Sequence, residues 1–272
     1  MNKNFNMVLL VFITFFVISF ITNIIGPLIP DIINDFDLNL TLVALLPFSF
    51  FIAYGIISIP SGMLIQKIGE KYVMILGFGL AFIGSFTFAS FPNYSLAVIS
   101  LFVIGSGMAM LQVVINPLLR VAGGEENFAF NATGAQLIFG LASFFSPLAY
   151  SYFVLNLNQS LEGNSWFLYF FNLITPDNLL WISLYWLFAI ISIIMIVVIV
   201  SFNFPKVQLK QDERIGPLET HLSLLKNPIV IIYFFGIFTY VGLEQGVANW
   251  ISKFLDIYHG YDPQIIGAKT IS

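Results

Sequence analysis

The chain has 272 residues, of which 58% are hydrophobic, 17% aromatic and only 9% charged, against about 25% charged in a soluble domain. Ten Lys plus Arg and fourteen Asp plus Glu are too few to solvate such a globule, and a disordered chain would show the opposite balance, so the main solvent is lipid. Zero cysteines exclude disulfide frameworks, thiolate metal sites and Cys nucleophiles, two histidines leave little for a metal, and the net charge of −4 does not point to nucleic acid.

Uncharged runs extend from Asn4 to Pro30, Leu38 to Gln66, Tyr72 to Leu119, Asn127 to Leu161 and Asn178 to Pro205. A spanning helix needs about 20 mostly apolar residues. The third run is long enough for two, divided at the turn Phe91-Pro92-Asn93-Tyr94-Ser95. A further run, Asn227 to Leu243, reaches span length only by continuing past Glu244 to Trp250. Spans are therefore predicted at residues 6–30, 41–65, 72–90, 96–118, 129–154, 179–203 and 229–252, with residues 263–272 as the beginning of an eighth. Continuous rather than alternating apolarity excludes a β-barrel. The first apolar stretch is too long for a signal peptide and is read as a span.

Eight of the ten bases fall on one face: Lys3, Lys67, Lys71, Arg120, Lys206, Lys210, Arg214 and Lys226. The intervening loops carry acids, among them Asp31, Asp35, Asp37, Glu162 and Asp177, and no base. The positive-inside rule then makes the N-terminus cytoplasmic in a multi-pass protein of the cell membrane. Sequons at Asn39, Asn93 and Asn158 lie in the outer loops, but so short a pattern recurs by chance in an Asn-rich chain. The segment 205–227 is the one long polar cytoplasmic stretch and reads as a linker. It separates a six-helix bundle, 1–204, from the start of a second, incomplete bundle, 228–272. Duplicated helical bundles around a midplane site are common among secondary transporters.

Amides are placed in pairs. Gln112 and Asn116, and likewise Gln245 and Asn249, stand four residues apart and share a helix face. Asn131 and Gln136 add two more in the fifth span. Amides both donate and accept, which suits a neutral polyol, although they also join membrane helices to one another. Glu244 is a carboxylate inside a span. At about 3 kcal/mol for a charge at midmembrane, such a group is expected to be buried from lipid and to serve a pathway. Trp250 is a candidate for stacking on a sugar ring. Trp166, Trp181 and Trp186 read as interfacial anchors, and Lys253 as an interfacial base. Gly77, Gly79, Gly84, Gly105 and Gly107 permit close helix approach. No HExxH, Ser/His pair or paired carboxylates occur within the spans, so an enzyme is not expected.

The loop Gly62-Met63-Leu64-Ile65-Gln66-Lys67-Ile68-Gly69-Glu70-Lys71 resembles the loop signature of the major facilitator superfamily. Gly62, Lys67, Gly69 and Lys71 fit, while Gln66 stands where the family usually has Asp, which weakens a charge-paired cytoplasmic gate. A narrower resemblance is to the fucose:proton symporter and glucose/galactose permease family. It is carried by Tyr54 and Pro60, by Gly105, Gly107, Leu111-Gln112 and Asn116-Pro117, and by Tyr240-Val241-Gly242-Leu243-Glu244. The stretch Gly134 to Gly140 with Ser146-Pro147-Leu148 looks more like the sodium-dependent glucose transporter branch. Asn23 and Asn116 match polar positions of the family, whereas the first-span Asp and fourth-span Glu of the fucose branch are matched here by Gly26 and Gln112.

The resemblance implies an all-α membrane protein of major facilitator type and cation-coupled transport of a hexose-like sugar by alternating access. The coupling ion would be sodium or a proton; no cofactor and no metal centre are implied. Asn23, Gln112, Asn116 and Gln136 from the first half and Gln245, Asn249 and Trp250 from the second would contact substrate, with Glu244 as coupling group. The other half of the cavity would come from further C-terminal helices or a complementary chain. Rival readings are an exporter of drugs or metabolites, and a receptor or structural protein without transport.

Overall fold

The computed structural model describes residues 5–157, 166–204 and 226–271. Among the described residues the secondary structure is helical, and seven helical spans are long and apolar enough to cross a membrane. The chain is a multi-pass membrane protein. The first span is divided into α1 (Phe5–Thr22) and α2 (Ile25–Asp35). Pro27 has no N–H to give the carbonyl of Asn23, and Pro30 none for Gly26, so the helical ladder fails where the chain turns at Asn23 and Ile24.

Beyond it lie α3 (Leu40–Ile68), α4 (Glu70–Ser90) and α5 (Tyr94–Gly123). These are followed by α6 (Phe128–Asn156), a short α7 (Trp166–Ile174) and α8 (Ser183–Ser201). The second group begins with α9 (Pro228–His259), then a π-helical turn, Pro263–Gly267, and a last turn, α10 (Ala268–Ile271). Two sequons have a structural role. Asn39 Oδ1 accepts from the Leu42 N–H at 2.9 Å and Asn93 Oδ1 from the Leu96 N–H at 3.0 Å, which caps α3 and α5. Asn158 and Glu162, and the predicted linker as far as residue 225 with its Lys206, Lys210 and Arg214, lie outside the described residues.

In lipid, apolar side chains alone do not drive helices together; small residues and interhelical hydrogen bonds select the partners. Gly77 of α4 and Gly107 of α5 meet backbone to backbone, and Gly105 abuts the backbone of Phe50 on α3. Gly79, expected to share this role, faces open space. Ser49 donates to the Val98 carbonyl at 2.7 Å and Ser146 to the Phe20 carbonyl at 2.7 Å, tying α3 to α5 and α6 to α1. Phe88 and Tyr185 pack edge to face at 4.6 Å between α4 and α8.

Two expectations about aromatics are corrected. Trp166 belongs to a separate helix, α7, inside what the sequence suggested was loop. Trp181 is 2% exposed and donates its Nε1–H to Asp35 at 2.6 Å, so it is a packed, bonded residue and not an interfacial anchor. Trp186 likewise packs edge to face on Phe86. A lone Trp near a span end reads the same in sequence whether it faces the interface or a neighbouring helix.

Candidate functional site

The break in the first span places Asn23 between two helical segments. Its Nδ2 donates to the Ser19 carbonyl at 2.9 Å and to Ser19 Oγ at 3.1 Å. Ser19, fully buried, donates in turn to the Phe139 carbonyl of α6 at 2.6 Å. One turn further, Gly26 meets α9 directly: a Cβ there would stand 2.5 Å from the Ala248 carbonyl oxygen and 3.1 Å from the Asn249 Cα. The position where the resembled family carries an acid is therefore a helix crossing between the six-span bundle and the following helix.

At this crossing Asn249 is 6% exposed and donates to the Gln245 carbonyl at 2.8 Å. At about 100° per residue, Gln245, Asn249 and Ser252 lie within roughly 60° of one another on the α9 face toward α2. Ser252 is fully buried and its hydroxyl has no partner among the described residues. Trp250 is half-buried against the apolar core. Gln112 is half-buried on α5, whereas Asn116 and Gln136 are exposed on α5 and α6. The crossing thus sets the Gln245 and Asn249 face of α9 against Gly26, one turn along the chain from Asn23.

Glu244 departs from expectation. It is exposed, about 140° around α9 from Asn249. The physical reason is that the N-terminal part of α9, from Ile229 to Glu244, is almost wholly exposed among the described residues. A carboxylate on that stretch has nothing to bury it.

The loop between α3 and α4 is built as a tight reversal. Gly69 adopts φ +83°, a conformation that favours glycine, and gives its N–H to the Ile65 carbonyl at 2.8 Å. Gly62 is buried, while Gln66 and Lys67 are exposed. Lys71 reaches the end of α8, donating to the carbonyls of Val200 at 2.7 Å and Phe202 at 2.8 Å. Those are the terminal carbonyls that a helix leaves unpaired.

At the opposite end stand Asp31 and Asp35, which the sequence pattern assigns to a loop. Both belong to α2. Tyr150 of α6 donates its O–H to Asp31 Oδ2 at 2.7 Å, and the Gln264 amide approaches Asp31 Oδ1 at 3.5 Å. With Trp181 on Asp35, three segments converge on two carboxylates. Nearby, Lys253 pairs with Asp256 at 2.7 Å and so is bonded within α9. The signal available was the spacing of Asp31 and Asp35, four residues apart on one face.

The helical bundle, the broken first span and the crossing of α2 with α9 define a transporter-type membrane fold. The Major Facilitator Superfamily profile matches residues 11–271, and the chain belongs to that superfamily. It is 30% identical over 256 residues to a glucose/galactose transporter of Brucella abortus, covering 93% of this chain and 58% of that one. A crystal structure of a variant of the E. coli fucose:proton symporter, FucP, superposes with a TM-score of 0.58 at 23% identity. That match covers 76% of this chain and 51% of the other. A bacterial homologue of the human lysosomal transporter Spinster, inward-facing and unoccupied, gives a TM-score of 0.74 at 14% identity, covering 97% and 58%. The chain thus spans little more than half the length of these relatives, which are transporters and not enzymes.

Proposed function

We propose that the protein is an alternating-access transporter of a hexose-like sugar, cation-coupled, lying in the cell membrane with its N-terminus cytoplasmic. The observation that carries this reading is the crossing at Gly26: this residue, one turn along the chain from Asn23 at the broken span, meets the α9 backbone at Ala248 and Asn249, with Asn249 buried and Gln245 half-buried on the same face. Broken spans at a repeat interface are where such transporters build their sites. Amides from both sides can give and take hydrogen bonds with neutral hydroxyls. The glucose/galactose name of the Brucella relative supports the same substrate class. The Brucella relative, of which this chain covers 58%, is longer, and in this reading helices like those of its remaining length would cover the bare stretch of α9 and surround Glu244.

Glu244 is the coupling group in this reading, because Gly26 and Gln112 cannot release or hold a proton as carboxylates would. The test is uptake of labelled glucose by the intact protein in proteoliposomes under a sodium gradient, a proton gradient and neither. The wild type should accumulate sugar under one gradient, and Glu244→Gln should exchange sugar without accumulating it. Equal accumulation by wild type and Glu244→Gln would remove Glu244 from coupling; absence of sugar movement in every arm would overturn the sugar reading.

A further inference from the structure

We infer that Ser19 fixes the orientation of Asn23 so that this residue meets a substrate hydroxyl as an acceptor only. The inference rests on the sugar reading above. An asparagine amide ordinarily offers two donors and one acceptor oxygen, and a half-turn of its side chain exchanges them. Here that freedom is removed. The atom 2.9 Å from the Ser19 carbonyl oxygen must be the nitrogen, since a carbonyl only accepts. The same nitrogen lies 3.1 Å from Ser19 Oγ, whose own proton is committed to the Phe139 carbonyl at 2.6 Å.

Ser19 therefore accepts from Asn23 twice, through its carbonyl and its hydroxyl, and takes up the donors of the amide. What remains for a ligand is Asn23 Oδ1, to which no described residue donates. The main-chain carbonyl of Asn23 adds a second acceptor, because Pro27 has no N–H to give it. Both acceptors belong to one residue at the turn between α1 and α2, one turn from the crossing with α9. A sugar hydroxyl facing Asn23 must donate. Ser19 is a positioning residue: fully buried, it acts through the amide.

The test compares glucose with its monofluoro-deoxy analogues, in which fluorine replaces one hydroxyl at a time and can accept but not donate. Binding and uptake are measured on the intact protein carrying Ser19, Ser19→Ala or Ser19→Thr. In the wild type, fluorine at the contacted carbon should weaken binding about tenfold relative to glucose, the scale of one lost hydrogen bond. In Ser19→Ala the main-chain carbonyl of residue 19 still holds one amide N–H, but the second loses the Oγ acceptor and is free to meet fluorine, so the ratio at that one carbon should fall to about threefold or less. Ser19→Thr, which keeps the hydroxyl, should restore it. A purely structural role for Ser19 would lower every analogue in proportion and leave all ratios alike. Ratios unchanged between wild type and Ser19→Ala at every carbon, with glucose still transported, would overturn this inference alone. No transport of glucose by the wild type would overturn it together with the sugar reading.

Discussion

The packed bundle from α1 to α8 and the helix α9 both carry spans apolar enough to cross a membrane but are unequal in burial. Phe88 on α4 is fully buried against Trp181 and Tyr185, whereas Phe238 on α9 is 65% exposed. In the bundle, glycines and serines choose the neighbours. In α9, only the C-terminal half is engaged, with Gly26 accepting its backbone and Asn249 and Ser252 buried. The contrast teaches that apolarity places a helix in the membrane, while small and polar residues determine what it touches. The engaged part of α9 carries Gln245 and Asn249, the amides of the proposed site, and the bare part carries Glu244.

Substitutions can sharpen or break this contrast. Phe88→Ala empties a fully enclosed site and should cost about 3–5 kcal/mol, read as a fall in the thermal midpoint in detergent. Gly26→Leu forces a side chain into the Ala248 backbone and should cost about 1–3 kcal/mol as overpacking. It should abolish sugar uptake by separating α9 from α2, and uptake at the wild-type level would show that the crossing is not needed. Tyr150→Phe withdraws the O–H from Asp31 and should cost about 1.5–3 kcal/mol, the scale of a hydrogen bond to a charged group. Phe238→Ala, in this 272-residue chain, should shift stability by less than about 0.5 kcal/mol, as for a surface position. A loss matching that of Phe88→Ala would mean that α9 is packed over its whole length.

The spans were legible because charges are absent from them, and the two amide pairs because a spacing of four places residues on one face. Asn39 and Asn93 stand in sequons of a kind that recurs by chance, and their role as caps shows only at the start of a helix. The break at Asn23 was present in Pro27 and Pro30 but was hidden by continuous apolarity. Asp31 and Asp35 were read as loop acids, since charge marks the end of a run and not the end of a helix. Their bonds to Tyr150 and Trp181, more than a hundred residues away in sequence, follow from helix packing that the apolar pattern leaves unspecified. Glu244 is expected to be buried because it interrupts a span, and it lies on the exposed stretch of α9.

The central claim is that substrate is held between Asn23 of the first half and Asn249 of the second. It is tested most directly by gradient-free counterflow of labelled glucose in proteoliposomes, with the intact protein as wild type, Asn23→Ala and Asn249→Ala. The account predicts exchange in the wild type and a loss of about tenfold or more in each variant, the scale of one hydrogen bond per site. Wild-type exchange that survives either substitution undiminished, or no exchange at all, would contradict it.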